Sequence, residues 1–191
     1  MRMVENEFKS VLDYIHEMYN RSSVAINLAF SAIILNDKEL AEDVIAIEHQ
    51  MNELKVELEK RVISSRVPAE EVESMAGVLE VAHATEQITN NARTIAAFTA
   101  SDRKHHPILT KALSHPNKQV YKVAIKKGST VDGKLLGEAH IEDLSGVSLV
   151  AVKQKKQWLR SHLVEGTLSA GDLLLVSGTE EQFKKLEKMV H

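Results

Sequence analysis

Apolar residues in the first half of the chain recur at intervals of three and four, which places them on one face of a helix. This pattern predicts a first helix from about Glu5 to Leu35. A second helix begins at Asn36 or Asp37, both good N-cap residues, and a third follows Pro68. The predicted buried positions are Phe8, Val11, Leu12, Ile15, Met18, Ser22, Ile26, Ala29 and Ile33, then Leu40, Val44, Ile47, Met51, Leu54 and Leu58, then Val72, Met75, Leu79, Ala82, Ile88, Ala92 and Ile95. Three such stripes with short connections predict an antiparallel three-helix bundle.

From Ser101 to Lys118 the helical pattern stops, and a polar stretch is followed by His105, His106 and Pro107 and later by His115, Pro116 and Asn117, which predicts a linker over residues 105–118. Beyond it, Val120 to Lys127 alternates in the manner of a half-buried strand. Further strands are predicted at 146–152, at Trp158 and at 173–177, with a short helix at 134–138 and a closing helix after Thr179. The fold class is therefore multi-domain, α then α+β, with a bundle over 1–104 and a β-α-β-β-β-α domain over 119–191.

Composition narrows the class of protein. The 191 residues are 43% hydrophobic and 27% charged and contain no cysteine, which excludes disulfides and cysteine-based metal sites. The sequence has neither a long apolar run nor a signal-peptide pattern, so we expect a cytoplasmic protein without direct membrane insertion. Residues 1–110 carry 11 basic and 18 acidic side chains, and residues 111–191 carry 13 and 9. Without dense basic clusters, nucleic-acid binding is not expected.

No catalytic constellation stands out, because the chain has neither a Ser/His/Asp arrangement nor a glycine-rich phosphate loop. We therefore expect a protein that is not an enzyme. His105, His106 and His115 lack acidic partners at ligand spacing and are interpreted as linker residues. Trp158 is interpreted as a hairpin side chain that covers the sheet, and Asp172 as a residue that organises its own turn.

Three segments of the second half, GSTVDGKLLGE, GVSLVAVKQ and LSAGDLLLVSGTEEQFKKLEKM, occur in an order and spacing that resembles the TrkA C-terminal domain, also called the RCK C-terminal domain. The resemblance covers nearly all of residues 119–190. It implies a ligand-binding module whose dimers hold a small, nucleotide-like effector in a cleft between two copies. No resident cofactor is predicted.

The residues at the corresponding cleft positions are Leu136, Gly137, His140, Glu142 and Ser148. Glu142 departs from the family, because binders of cyclic di-AMP tend to carry arginine there to meet a phosphate. A carboxylate repels such a dianion unless it is neutralised. The alternative interpretation makes Leu136 a core residue and His140 and Glu142 ordinary surface residues.

The first half is similar to a single PhoU-type three-helix repeat, through LNDKELAEDVIAIEHQMNEL and ATEQITNNARTIA. Such repeats hold metal on paired acids one helical turn apart, since residues i and i+4 share a face. The corresponding pairs are Glu48 with Asn52 and Glu86 with Asn90. In each pair an asparagine stands where the family has a second acid, which halves the negative charge of the pair. We therefore expect little tightly bound metal.

Together the two resemblances imply an accessory protein of prokaryotic potassium or other cation transport. We expect a homodimer or higher oligomer that senses a small ligand and acts on a membrane channel or transporter subunit, at which it lies peripheral to the inner face of the membrane. The alternative is a PhoU-like metal- or phosphate-signalling adaptor in which the bundle carries the specific function.

Overall fold

The computed structural model describes the backbone of residues 2–65, 67–101, 106–161, 164 and 166–191, with side chains from residue 11 onward. Three long helices form the first part, α1 (Arg2–Leu35), α2 (Lys38–Ser64) and α3 (Val72–Ala100). A 3-10 turn, Ala69–Glu71, leads into α3 after Pro68. The side chain of Asp37 accepts a hydrogen bond from the Leu40 N–H at 3.1 Å, which confirms a predicted N-cap.

The three helices pack into a bundle around a shared apolar cluster. Met18 of α1, Met51 and Leu58 of α2, and Met75 and Ala82 of α3 all belong to it. Glu48 of α2 pairs with Arg93 of α3, and Lys55, which comes later in α2, pairs with Glu86, which comes earlier in α3, so these two helices run antiparallel. The predicted three-helix bundle is therefore confirmed, although Phe8 lies outside the described side chains.

Part of the predicted burial pattern is wrong. The helical spacing predicts that Leu12, Val72 and Ile88 are buried, yet their exposed fractions are 52%, 55% and 46%. On α3 the buried face instead includes Glu86 and Thr89. Hydrophobicity alone misplaces the stripe because polar side chains can be buried when they find partners within the bundle.

The predicted linker contains a short helix, α4 (Pro107–Leu113), most of which is exposed. His106 Nδ1 accepts a hydrogen bond from the Ile108 N–H at 3.3 Å and so caps this helix. His115 Nδ1 accepts from the Asn117 N–H at 3.2 Å. Both histidines therefore organise local backbone, and His105 lies outside the described residues.

The second part contains a four-stranded antiparallel sheet in the order β1-β4-β2-β3. Its strands are β1 (Gln119–Ala124), β2 (Ser148–Gln154), β3 (Gln157–Leu159) and β4 (Leu173–Gly178). The central strand β4 presents Leu174 and Val176 to a core that also contains Leu186. This arrangement confirms the predicted α+β class.

Three further helices accompany the sheet, α5 (Leu136–Ala139), α6 (Ile141–Ser145) and α7 (Glu180–Val190). The sequence predicts one short helix where the structure has two, α5 and α6. Helix α7 begins at a capping box in which Thr179 and Gln182 exchange side-chain to backbone hydrogen bonds. This reciprocal cap fixes the start of the closing helix, as its sequence predicts.

Two predicted structural roles in this part are confirmed. Trp158 is buried against the sheet with an exposed fraction of 7%, and Lys153 Nζ lies 5.9 Å from the centre of its ring. Asp172 Oδ2 accepts hydrogen bonds from the Ser169 N–H at 2.9 Å and from Gln154 Nε2 at 2.7 Å. Both side chains thus hold the hairpin and turn regions in place.

The chain divides into two compact units, one built on the long helices and the other on the sheet. The exact predicted bounds of 1–104, 105–118 and 119–191 stay predictions. Across the described residues, no helix combines the length and apolar character needed to cross a bilayer.

Candidate functional site

A groove of about 390 Å³ opens beside the two short helices of the C-terminal unit. It is lined by residues from α5, α6, the start of β2 and the segment after β3. These residues are Leu136, Gly137, His140, Ile141, Glu142, Asp143, Leu149, Ser161 and Val164. The volume lies in the range of small-molecule sites in proteins.

The groove lies where the chain turns between α5 and α6. His140 stands at this junction with a φ angle of 45°, in the left-handed region that residues other than glycine seldom occupy. At the far end of α6, Gly146 has a φ angle of 79°, and its N–H bonds the Glu142 carbonyl at 2.8 Å. The two left-handed residues delimit a helix of five residues, of which Ile141, Glu142 and Asp143 line the groove.

Glu142 joins this helix to the neighbouring strand. Its Oε1 accepts a hydrogen bond from the Leu149 N–H at 2.8 Å, although the residue is exposed overall. A backbone donor therefore satisfies part of the carboxylate and fixes its position at the groove. The side chain is neither a free surface charge nor a core residue.

The rest of the lining combines one more polar pair with an apolar wall. His140 Nδ1 lies 3.2 Å from Asp143 Oδ2 on the same stretch of chain. Leu136, Leu149 and Val164 provide apolar surface. Among the described residues, a Cβ built on Gly137 meets no heavy atom within 4 Å, so this position is open.

Four of the five predicted effector residues, Leu136, Gly137, His140 and Glu142, therefore line one groove. Ser148 begins strand β2 next to this groove but is not part of its lining. A ligand role for these residues stays a prediction.

Asp143, Ile141, Leu149, Ser161 and Val164 were missed by the sequence analysis. Ser161 and Val164 follow a strand in a segment without regular pattern, so only the folded chain brings them to the groove.

The predicted metal pairs of the bundle form a second polar cluster. Glu48 and Glu86 are both buried, with exposed fractions of 8% and 7%. Asn52 Nδ2 donates to Glu48 Oε1 at 2.9 Å, and Asn90 Nδ2 donates to Glu86 Oε1 at 2.5 Å. Each amide therefore turns its N–H₂ group, not its oxygen, toward the carboxylate.

Each of these carboxylates also meets a cation from the facing helix. Arg93 Nε lies 3.7 Å from Glu48 Oε2, and Lys55 Nζ lies 3.6 Å from Glu86 Oε2. The cation on each helix follows its own glutamate by seven residues, so α2 and α3 carry the same Glu-x3-Asn-x2-Lys/Arg pattern and pair reciprocally. This repeat is readable in the sequence and was missed there.

The cluster is thus completed by groups of the chain itself. His49 Nδ1 and His83 Nδ1 also lie within 3.7 Å and 3.6 Å of the two carboxylates. Among the side chains that the structure describes, no group of three or more histidine, aspartate or glutamate residues is arranged to hold a metal ion.

Two curated proteins of Methanocaldococcus jannaschii resemble parts of this chain. Potassium channel protein 1 is 32% identical over 66 residues, which is 35% of this chain and 20% of that protein. Probable potassium channel protein 2 is 31% identical over 72 residues, which is 38% of this chain and 21% of that protein. The match thus spans about a fifth of the length of either relative.

A comparison of folds matches the structure of S. agalactiae BusR in complex with its busAB-promotor DNA at 14% identity. The match covers 89% of this chain and 95% of that one, with a TM-score of 0.34, which is too low to support an argument about this protein.

Family models match two successive parts of the chain. The PhoU domain matches residues 15–99, which contain the reciprocal Glu/Asn cluster. The TrkA-C domain matches residues 120–191, which contain the sheet and the groove. The chain therefore carries a PhoU domain followed by a TrkA-C domain, in the order that its sequence motifs predict.

Proposed function

We propose that this protein is a regulatory subunit of a potassium or other cation channel or transporter, and that it senses a small effector through its TrkA-C domain. The observation that carries the proposal is the groove between α5, α6 and β2, which combines an open glycine, an apolar wall and fixed polar groups. The names of the two relatives, both potassium channel proteins, support the transport role.

The mechanism needs two copies of the chain. An effector that binds across a two-fold axis prefers one geometry of the dimer and so shifts its population, with a coupling free energy of typically 1–3 kcal/mol. The helical bundle then acts as the lever or docking surface toward the membrane partner. We place the protein in the cytoplasm, peripheral to the membrane through that partner, and assign it no catalytic activity.

The charge of the groove favours one ligand class. Among the described residues of the lining, Glu142 and Asp143 contribute two carboxylates and His140 contributes a basic group. Because like charges repel, we expect neutral or cationic molecules to bind more tightly than a dinucleotide dianion. Leu136 and Leu149 would contact an apolar portion of the ligand, while His140 would hydrogen-bond its polar portion.

A thermal-shift screen tests the proposal. The purified full chain is heated with adenosine, spermidine, ATP and cyclic di-AMP, since a ligand that binds only the folded form raises the melting temperature. We expect adenosine or spermidine to raise it more than the two anions do. If none of the four probes shifts the wild-type melting temperature, the proposed sensing role is not supported.

The alternative function is a PhoU-like metal- or phosphate-signalling adaptor. Lys55 and Arg93 already form ion pairs with the two buried glutamates. Because a metal ion would have to displace these cations, the metal form of this alternative is disfavoured. Elemental analysis of the purified protein tests this alternative, which stoichiometric iron or zinc would favour.

A further inference from the structure

The loop between β2 and β3 places two lysines in a backbone conformation that suits other residues better. Gln154 pairs with Gln157, so Lys155 and Lys156 form the two-residue loop of this hairpin. Their φ angles are 48° and 68°, both in the left-handed region. Hairpin loops with positive φ at both positions favour Asn-Gly, because most other side chains are strained there. Turn geometry therefore does not explain why lysine occupies both positions.

Two further lysines follow β1 at the same end of the sheet. Both β1 and β2 run antiparallel to β4, and Ala124 of β1 and Lys153 of β2 pair with the same residue, Leu173. The two strands therefore end side by side with β4 between them, about 10 Å apart. Beyond Ala124 the chain reaches Lys126 and Lys127, which are exposed like the two lysines of the hairpin loop. The term lysine edge is used here for the set of four, Lys126, Lys127, Lys155 and Lys156.

Lysines outnumber carboxylates at this end of the sheet. Hydrogen bonds between backbone groups and from Gln154 to Asp172 join three described segments there, residues 124–134, 153–157 and 168–173. These segments contain six lysines and two aspartates, an excess of four positive charges, although the whole chain has a net charge of −3. Helix α7 also ends there, and its last turn adds one glutamate and one lysine, whose charges cancel. Glu165 lies outside the described residues.

The two aspartates of these segments are held by backbone donors. Asp132 accepts hydrogen bonds from the Gly128 N–H at 2.8 Å and from the Ala170 N–H at 3.1 Å. Asp172 organises its own turn through the contacts given above. Within the described part of the chain, no ion pair joins the lysine edge to a carboxylate. The four ammonium groups are therefore available to an external anion.

We propose that the lysine edge binds the phosphate head groups of an anionic membrane surface. A lysine ammonium is a point charge that attracts phosphate without a fixed geometry, and clusters of four or more basic residues are typical of protein segments that bind anionic lipids. The lysines stand on a hairpin tip and on the neighbouring chain turn, and none of them lines the groove of this domain. A row of charges about 10 Å wide suits a flat surface that carries many phosphates.

The choice of a membrane over another polyanion rests on the proposed role in cation transport, which places the chain beside a membrane protein. Nucleic acids offer the same phosphate chemistry, but proteins recognise them with arginine on base edges or with stacked aromatic rings. The three segments that form this end of the sheet contain neither arginine nor an aromatic residue. A membrane partner would also tether the chain, which raises the effective concentration of lipid at a small basic surface.

Co-sedimentation of the full chain with lipid vesicles tests the proposal. Vesicles of phosphatidylcholine are compared with vesicles that also contain phosphatidylglycerol, in low and high salt and without effector. We expect binding only to the anionic vesicles and its loss in high salt, because salt screens the attraction. Absence of binding to the anionic vesicles in low salt would overturn the proposal, whereas the thermal-shift result on the effector would stand unchanged.

A variant that improves the turn while it removes the charges locates the binding. Lys155→Asn with Lys156→Gly should weaken binding to the anionic vesicles about thirtyfold, since each lysine near such a surface contributes about fivefold. The same variant should raise the melting temperature, because Asn-Gly suits the left-handed loop, so misfolding would not account for lost binding.

The matched control removes two adjacent lysines from α7. Lys184→Gln with Lys185→Gln lowers the net charge equally, but these lysines already pair with Glu180 and Glu181, so binding should change only slightly. An equal loss of binding in the two double variants would reflect the net charge of the chain and would overturn the proposal. A DNA duplex or inorganic phosphate that displaces the wild type from the vesicles at matched ionic strength would overturn it as well.

Discussion

The polar clusters of the two domains differ in what completes them. In the PhoU domain, each buried glutamate has an amide one turn along its own helix and a cation from the facing helix. In the TrkA-C domain, Glu142 is anchored by one backbone N–H at the edge of an open groove. The first cluster is closed by the protein, and the second has room for another molecule.

This difference separates a structural role from a binding role. Buried charges that are paired and hydrogen-bonded within the chain stabilise one arrangement of the helices, because losing a partner leaves a charge unsatisfied. The groove of the TrkA-C domain instead combines a fixed carboxylate with an open glycine and an apolar wall, which is the composition of a binding site for a small molecule. The family resemblances supply the candidate residues of both clusters, and the contacts within the chain distinguish the completed cluster from the open one.

Filling the groove should have the largest of the predicted effects, a loss of ligand affinity in the TrkA-C domain. Gly137→Trp places an indole at an open position, so it should reduce the affinity for any groove ligand by about a hundredfold or more through steric exclusion. Glu138→Trp is the control, because this exposed neighbour is not part of the lining. Calorimetric titration with the best probe of the thermal screen measures both variants. An unchanged affinity in Gly137→Trp would place the ligand elsewhere.

Reversing the charge of the groove should change its selectivity. Glu142→Arg should raise the affinity for cyclic di-AMP by about tenfold, because a repulsive charge becomes an attractive one. The same change removes the acceptor of the Leu149 N–H and should cost about 1 kcal/mol of unfolding free energy. Glu142→Gln, which keeps an acceptor oxygen, separates the two effects. Tight cyclic di-AMP binding by the wild type that the arginine weakens would refute the electrostatic argument.

Replacing the two asparagines of the Glu/Asn cluster by aspartate should allow the bundle to bind metal. Asn52→Asp with Asn90→Asp replaces each donor amide by a second carboxylate beside a buried glutamate, which should cost about 1 kcal/mol of stability without metal. We expect Mn²⁺ to recover the lost melting temperature and elemental analysis to show increased uptake, most of all when Lys55→Met and Arg93→Met are added. Stoichiometric iron or zinc in the unmodified protein would instead favour the adaptor function.

The smallest predicted effect concerns an exposed pair on α7. Lys184 Nζ bonds Glu180 Oε1 at 2.5 Å, and this hydrogen bond together with the lysine charge lowers the pKa of Glu180. A carboxyl with a lowered pKa stabilises the fold above its ordinary pKa of 4.5, and the contribution is lost as pH falls through the lowered value. Lys184→Met should thus reduce the melting temperature slightly at neutral pH, less in strong acid, and hardly at all in high salt. An equal reduction at all pH values would indicate lost packing instead.

Much of the fold could be predicted from the sequence because its signals are local. Asp37 caps a helix through a residue three positions away, and Thr179 does the same at α7. Strand alternation and glycine turns likewise act over a few residues. These features identified both domains and most of the element boundaries.

The candidate sites could be predicted only in part, since they depend on contacts between distant residues. Glu48 and Glu86 become buried because Arg93 and Lys55 reach them across two helices. Hydrophobic periodicity therefore assigned Ile88 to a buried face that polar residues occupy. The left-handed His140, which creates the bend beside the groove, has no signal as strong as a glycine would give.

The stoichiometry of effector binding tests the central claim most directly. Calorimetric titration of the full chain with the strongest probe should give one ligand per two chains, because the effector is proposed to lie across a two-fold axis. Light scattering on the same sample should show at least a dimer, and Gly137→Trp should remove the binding signal. One ligand per chain on a monomer, or a signal that Gly137→Trp leaves intact, would contradict the account.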